Sequence, residues 1–439
     1  MSQEPFNTNT SQWALVVHRV ESRRAELWVG TLFPFLKMPE QARVVLVDDA
    51  GREREFSLRR DDWQRPFRHM SQRFHALVPV AGLEPGSRYR VRFERRIEPM
   101  PGVRDGAMWQ SLRDAEFRTL PTQLPGEGER PFTVALGSCF YNHRDGGHAA
   151  AAYKAIYERG GDASPDITFL SGDQVYLDIG FDSLSLIPKE IRERIASDYA
   201  AHWQALGSIL TRGGTWMLPD DHEYWNDYPF YDSLLPTLLP LKLAAVRRAW
   251  SRAARDAVMN VQRSAVVETF SIGDDLSFCV ADLRSWRRGK RFLPAPDFDR
   301  LCDWARNLDR PGVLLLSQPL IVGRSSLERN LRSFERQYRE LLAALGSSGH
   351  DIVLLSGDVH FGRIAVAGLG QGGGRLVEII SSPLSNLTGL NGVATVAPAL
   401  APAHFPDPDN ASRLGWPSAP VDYGQGRWAV STRPGHLLS

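Results

Sequence analysis

The segment DITFLSGDQVY (Asp166–Tyr176) decides how this chain is read, because a twin, DIVLLSGDVH, returns at Asp351–His360. Each is a short apolar run with an acid in front and Ser-Gly-Asp behind, the pattern of a buried strand ending in a turn. Gly-Asp after one strand is usually only a turn. Two ends sharing D-I-x-x-L-S-G-D ask for a common purpose. Two further strand ends carry reactive groups: FTVALGSC delivers Cys139, and TWMLPDDHE delivers Asp220, Asp221, His222 and Glu223. In α/β proteins ligands gather beyond the carboxyl ends of strands. One crevice would then receive the Cys139 thiol, the Tyr176 phenol, the carboxylates of Asp173, Asp220, Asp221, Glu223 and Asp358, and two imidazoles, His222 and His360. Taken singly, Cys139 reads as a small buried apolar residue, the Asp-Asp-His-Glu cluster as a cap or solvated loop, and His360 as a core histidine. Their convergence favours a metal site.

Outward from these strands, the chain from Pro131 alternates strands with helices. PKEIRERIASDYAAHWQALGSIL, LKLAAVRRAWSRAARDAVMNVQ, FDRLCDWARNL and LERNLRSFERQYRELLAAL read as helical. The fold expected is α/β, with mixed β-sheets flanked by helices. Residues 1–125 have a different grammar of short, often alternating runs such as RAELWVG and YRVRFERR, which predicts a fibronectin/Ig-like β-sandwich. Leu83–Tyr89 (LEPGSRY) resembles a tyrosine corner, in which the phenol bonds back to nearby backbone. PTQLPGEGERP then reads as a linker, so the expected division is a sandwich at 1–125 and a catalytic domain at 131–439. The helical insertion between Tyr176 and Thr215 is expected as a lid, and Asn391–Pro420 as a surface loop.

Composition narrows the function classes. With 52 Lys+Arg against 51 Asp+Glu, the net charge is +1, which carries no footprint for nucleic acid. Three cysteines are too few for a disulfide framework in 439 residues. The most apolar stretch, LLPTLLPLKLAAV, is broken by prolines and too short to span a bilayer. The N-terminal MSQEPFNTNTSQWALVV has neither a secretory nor a twin-arginine pattern, which predicts a cytoplasmic protein, or an exported one whose leader has been removed. No oligomeric state is read from the pattern.

The ordered set Ser138-Cys139, Gly172-Asp173-x-x-Tyr176, Asp220-Asp221-His222-Glu223 with Asn226, and Ser356-Gly357-Asp358-x-His360 resembles the PhoD-like alkaline phosphatases and phosphodiesterases of the calcineurin-like metallophosphoesterase superfamily. ADLRSWRR (Ala281–Arg288) is similar to that family's D-x-R-x-x-R segment, and LLSQP to its strand ending in Gln. The resemblance covers nearly the whole chain and implies a metal-dependent hydrolase of small-molecule phosphoric esters, mono- or diesters. Two cations about 3.5–4 Å apart would activate water for attack on phosphorus and clamp the phosphoryl oxygens.

By the resemblance, Asp173 bridges the two ions. The first takes Cys139, Asp173, Tyr176 and His360, a thiolate and phenolate set that implies Fe3+. The second takes Asp173, Asp221 and Asp358, an all-oxygen shell that suits Ca2+, Mn2+ or Mg2+. The wider superfamily usually has Asn and His where this chain has Asp221 and Asp358, so the second site is harder and more anionic. His222 falls at the catalytic, non-ligand histidine, suited to steady the phosphoryl oxygens or protonate the leaving group. Asp220 and Glu223 are expected to orient neighbours, while Asn226, Arg284 and Arg287 are candidates to meet substrate. Trp225, Tyr228, Phe230 and Tyr231 could pack an organic ester group, or simply the core. His143 and His148 are read as loop residues. The alternative class is a metal-free binding or scaffold protein on the same fold. A third, an iron redox enzyme, has no haem, flavin or nicotinamide fingerprint behind it.

Overall fold

The computed structural model describes residues 10–68, 70, 72–97, 108–158, 165–179, 181–232, 235–325, 329–385 and 401–423. Seven strands come first: β1 (Ala14–His18), β2 (Arg24–Thr31), β3 (Ala42–Asp48), β4 (Glu53–Leu58), β5 (Phe74–Ala81), β6 (Arg88–Ile97) and β7 (Met108–Arg118). They pair antiparallel as β5-β2-β1 and as β4-β3-β6-β7, the two faces of a fibronectin-like sandwich. Trp13 fills the space between them, edge-on to Phe74 and to Phe93 with ring centroids 5.7 Å apart in each case. The tyrosine corner is formed, with the Tyr89 hydroxyl accepting the Glu84 N–H at 2.9 Å.

The β5-β2-β1 sheet does not end with the sandwich. His18 pairs with Thr215, so β1 lies parallel beside the strand at Gly214–Leu218, and the sheet runs on as β5-β2-β1-β10-β9-β8. Here β8 is Val134–Gly137, β9 Ile167–Ser171 and β10 Gly214–Leu218. A second six-stranded sheet has the order β11-β12-β13-β14-β16-β15. Its strands are β11 (Val267–Ile272), β12 (Leu276–Ala281), β13 (Gly312–Leu315), β14 (Ile352–Ser356), β15 (Arg363–Leu369) and β16 (Gly374–Ile380). In each sheet the central strands are parallel, as expected of buried, Val/Ile/Leu-rich runs.

The two sheets face each other. Trp216 stacks on Phe270 at 4.7 Å and Phe169 meets Phe278 at 6.3 Å, within an apolar core continuous with that of the sandwich. Helices cover the outer faces, one face of each sheet, in keeping with the α/β fold of mixed sheets flanked by helices that the sequence pattern leads one to expect. A one-turn helix α1 (Asn142–Asp145) precedes α2 (His148–Glu158), α3 (Pro188–Leu210) and α4 (Ala244–Asn260), and α2 to α4 pack on the first sheet. Helices α5 (Ala295–Arg306) and α6 (Glu335–Gly346) pack on the second. Helix α3 has the bounds its sequence indicates, but it is no lid: Tyr199, Trp203 and Leu206 are buried in the apolar layer under the first sheet, where the helix packs along β1. Of the Asn391–Pro420 segment, 391–400 lie outside the described residues, and the rest is more than loop. It holds a two-stranded ribbon, β17 (His404–Phe405) with β18 (Ala419–Pro420), around helix α7 (Pro408–Leu414), capped by the Asp407 carboxylate on the Asn410 N–H. All three cysteines are buried and free. Among the described residues no helix is long and apolar enough to cross a membrane.

Two buried histidines lie in the first sheet, His18 at the join of β1 with β10 and His75 on the edge strand β5. His18 is 1% exposed with no partner for Nε2, and His75 stacks on Trp28 at 5.3 Å with no partner for Nδ1. Burial holds both neutral, lowering His18 to about 3 and His75 to about 4 from the usual 6.5. Because the folded values lie below the unfolded one, the contribution of these two histidines to stability is constant above pH 6.5 and falls as pH drops from there toward 4. The slope is roughly 1.4 kcal/mol per pH unit for each histidine. Urea unfolding at pH 7.5 and pH 5 is expected to show a marked loss of midpoint, and a smaller loss in the His18→Gln/His75→Gln double variant.

Candidate metal centre

The carboxyl ends of β8, β9, β10 and β14 meet at one point, and the sequence shows why they can. A Cβ on Gly357 would lie 2.3 Å from Ser138 Oγ and 2.8 Å from Ser171 Oγ. One on Gly172, whose φ is +113°, would lie 2.7 Å from the Asp220 Cβ. The glycine in each Ser-Gly-Asp is therefore demanded by the close approach of neighbouring strand ends. Just beyond, Cys139, Asp173, Asp358 and His360 all take left-handed backbone, with φ of 59°, 56°, 70° and 58°. Non-glycine residues adopt this at a cost on the order of 1 kcal/mol or more each, and such positions cluster at functional sites.

Hydrogen bonds hold these turns. The Cys139 N–H donates to Gly172 O at 3.0 Å and the Phe140 N–H to Asp173 O at 2.8 Å. The Glu223 carboxylate accepts from the backbone N–H of Asp173 (2.9 Å), Gln174 (2.6 Å), Val175 (3.3 Å) and Asp220 (2.8 Å), and from Gln262 Nε2 (3.0 Å). Burial pushes Glu223 up to about 7, while these donors pull the other way. All five are N–H groups, and a carboxyl proton would have no acceptor among them, so the geometry is that of the ionised form.

The expected ligands come together. Donor atoms of Cys139, Asp173 and His360 lie within 4.8 Å of one another, and so do those of Asp173, Asp220, Asp221 and Asp358. Asp173 also groups with Asp221 and His222, which makes it common to all three sets. The Cys139 Sγ is 3.4 Å from Asp173 Oδ2, and the Tyr176 hydroxyl is 3.4 Å from His360 Nε2. Asp221 accepts the Asp227 N–H on Oδ2 at 2.7 Å, while its buried Oδ1 has no partner. Gln318 Nε2 donates to Asp358 Oδ2 at 3.0 Å.

The electrostatics fit cations at this point. Burial and the charges of Asp173 and Asp358 push the Cys139 thiol well up, and burial with Cys139 and Asp173 does the same to Tyr176. Burial also raises Asp173, with Asp221, Asp220 and Glu223 adding to the push against His222. A thiol, a phenol and crowded carboxylates are held ionised together only by positive charge among them, and metal binding is what removes such protons. His360 is already neutral, lowered to about 4 by burial and by His222. The residues present thus suit two ions of different hardness: thiolate, phenolate and imidazole on one side, carboxylates on the other.

His222 is 16% exposed, and although a ring nitrogen falls in one of the three donor sets, its Nδ1 is 2.7 Å from Asp178 Oδ1. Burial alone would depress it. Asp178, with Asp173 and Asp221, more than reverses that and holds the imidazole well above its usual value. Asp178 also accepts the Asn226 backbone N–H at 2.7 Å, and sequence reasoning missed it because it belongs to no motif. Gln262 was equally silent, while Ser317 lies within LLSQP but was given no role. The arginines expected near substrate have other partners. Arg284 is buried and bonded through Nε to Asp220 Oδ1 at 2.5 Å, where Ser317 Oγ also donates at 3.2 Å. Arg287 is buried over Phe334 and donates to Gln318 Oε1 at 2.7 Å. Of the aromatic set, Trp225 and Tyr228 are core residues, Phe230 is partly buried, and Tyr231 is exposed. His143 and His148 open the helical turns after Cys139 and join none of the three donor sets.

The fold is one of paired mixed sheets whose acidic strand ends converge. The solved structure of PhoD superposes with a TM-score of 0.59 at 17% identity, covering 88% of this chain and 78% of that one, so the fold is PhoD-like. A redesigned β-sandwich protein and the third fibronectin III domain of a human protein each match over 29% of this chain and 99% of their own. Their TM-scores are 0.18 and 0.16, at 18% and 16% identity. No family model matches the chain, and no curated protein matches it in sequence.

Glu223→Ala strands five buried N–H donors, and unfolding in urea is expected to show a loss of roughly 3–5 kcal/mol. Glu223→Gln keeps the volume but brings an NH2 against these donors, and about half that loss is expected.

Proposed function

We propose that this chain is a PhoD-like phosphoric ester hydrolase, acting on phosphomonoesters, phosphodiesters or both. The observation that carries the reading is the position of Asp173, common to three groups of possible ligands that otherwise differ. Cys139, Asp173, Tyr176 and His360 would hold one ion, for which Fe3+ is the best match. Asp173, Asp221 and Asp358 would hold the other, Ca2+, Mn2+ or Mg2+. When bound, the pair supplies Lewis acidity and a nucleophile at neutral pH. The same reading divides the chain into a sandwich at 1–125 and a catalytic unit at 131–439.

The chain's own contribution centres on His222. Asp178 accepts the Nδ1 proton, which leaves Nε2 as the nitrogen free to donate to a leaving-group oxygen. The same carboxylate stabilises the imidazolium, the form that can give up this proton. Asn226 follows on the same turn, fixed to Asp178 by its backbone N–H, and its amide is the candidate to meet the ester. Arg284 and Arg287 serve beneath the site, balancing Asp220 and steadying Gln318 against Asp358.

Protein produced in iron-supplemented medium is expected to carry iron and a second divalent ion by elemental analysis, and to hydrolyse p-nitrophenyl phosphate or its bis ester. His222→Ala is expected to keep its metal and lose roughly 10²- to 10⁴-fold in kcat. A metal-free, inactive chain would instead establish the scaffold alternative. Asp178→Asn removes the charge that raises His222, so the alkaline limb of the kcat profile is expected to move to lower pH. An unmoved limb would remove His222 from the acid role.

A further inference from the structure

One face of the molecule is apolar and basic at once. Ile179, Leu184, Leu186 and Ile187 lead into α3, and Leu235, Leu239 and Leu243 lead into α4, all between 39% and 55% exposed. The two segments pack together, with Ser183 Oγ donating to Thr237 O at 3.2 Å. Directly beside them, Pro188 and Ala245 line a cavity of about 420 Å³ whose rim carries Arg68, Arg192, Arg248 and Arg252. Ala249 and Ala253, one turn apart on α4, form its floor and leave the space open.

The charge here is uncompensated. Asp256 pairs with Arg68, Glu193 with Arg73, and Glu190 accepts from Ser185. Among the described residues no acid lies within ion-pair distance of Arg192, Arg248 or Arg252. Helix α4 carries four arginines against a single aspartate. The whole-chain charge of +1 conceals this local excess.

We propose that this face docks on an anionic lipid surface. Aliphatic side chains standing out from short turns, flanked by arginines, are the arrangement that enters a headgroup layer: hydrocarbon goes in and guanidinium meets phosphate. Protein partners are gripped mainly through Trp, Tyr and Arg anchors in desolvated pockets, whereas the apolar ridge here is Leu and Ile throughout. Ile179 directly follows Asp178, the carboxylate bonded to His222, so the docked face adjoins the metal centre. The docking does not rest on the hydrolase reading, and its test reads neither metal nor turnover.

The test is co-sedimentation of the full chain with vesicles of phosphatidylcholine alone or mixed with phosphatidylglycerol. Binding is expected only to the anionic vesicles and is expected to weaken with salt. Arg248→Ala/Arg252→Ala is expected to reduce partitioning by about thirtyfold, from the loss of two arginines at the surface. Leu186→Ser/Leu239→Ser is expected to reduce it about tenfold or more. These side chains are exposed, and an unchanged thermal melt checks that the variants fold. Equal binding to both vesicle types, or variants that bind as the wild type does, would overturn the proposal. So would displacement by millimolar pyrophosphate with the leucine variant unaffected, which would make the cavity a site for soluble anions. A concentration-dependent dimer abolished by the leucine variant would assign the ridge to a second copy of the chain.

Discussion

The Glu223 carboxylate is the constraint on which the rest of the centre depends. Its five N–H donors come from the end of β9, the end of β10 and Gln262, so one side chain ties two strand ends and the chain after α4 to a single point. That tie fixes the left-handed turn at Asp173 and starts the short turn that presents Asp221 and His222. The partner residue Asp220 then reaches across to Arg284 beyond β12 and to Ser317 beyond β13, clipping one sheet to the other. The candidate ligands are placed by this scaffold of polar bonds, which gathers their oxygens and sulfur in one spot.

What those atoms can do follows from where the charge sits. Carboxylates outnumber the cationic side chains at this point, and burial raises the cost of ionising the thiol and the phenol. A protein interior tolerates such a crowd when cations join it. The softness of the donors differs from one side of Asp173 to the other, and that asymmetry is what the proposal of two unlike ions rests on.

Much of this was legible in the chain. The repeated Ser-Gly-Asp carried both a candidate ligand and the reason for the glycine, because strand ends that approach so closely leave no room for a Cβ. The 23 residues of α3 were readable from periodicity alone, yet their role was not. A long amphipathic helix after a ligand can cover a site or cover a sheet, and only the direction of its apolar face decides. Asp178 escaped because a lone acid in a loop looks like solvated surface until His222 is found 2.7 Å away. Arg284 and Arg287 were read toward substrate, or toward a surface ion pair, because a guanidinium can grip a phosphate bidentately, and nothing local announces an Asp220 some 64 positions from Arg284. Net charge failed in a different way, since a sum over the chain averages out a basic helix.

The sheet shared between the sandwich and the paired-sheet body has a consequence for how the molecule can be cut. Strand β10 owes its outer neighbour to β1, and the chain just before it is bridged to β7, where the Glu116 N–H donates to Thr211 O and the Gly213 N–H to Glu116 O. Removing the first 125 residues would bare the edge of β10, with its unpaired amides, to any passing strand. A shortened chain made for crystallisation or engineering would therefore tend to self-associate through that edge, and the N-terminal strands act as its permanent guard.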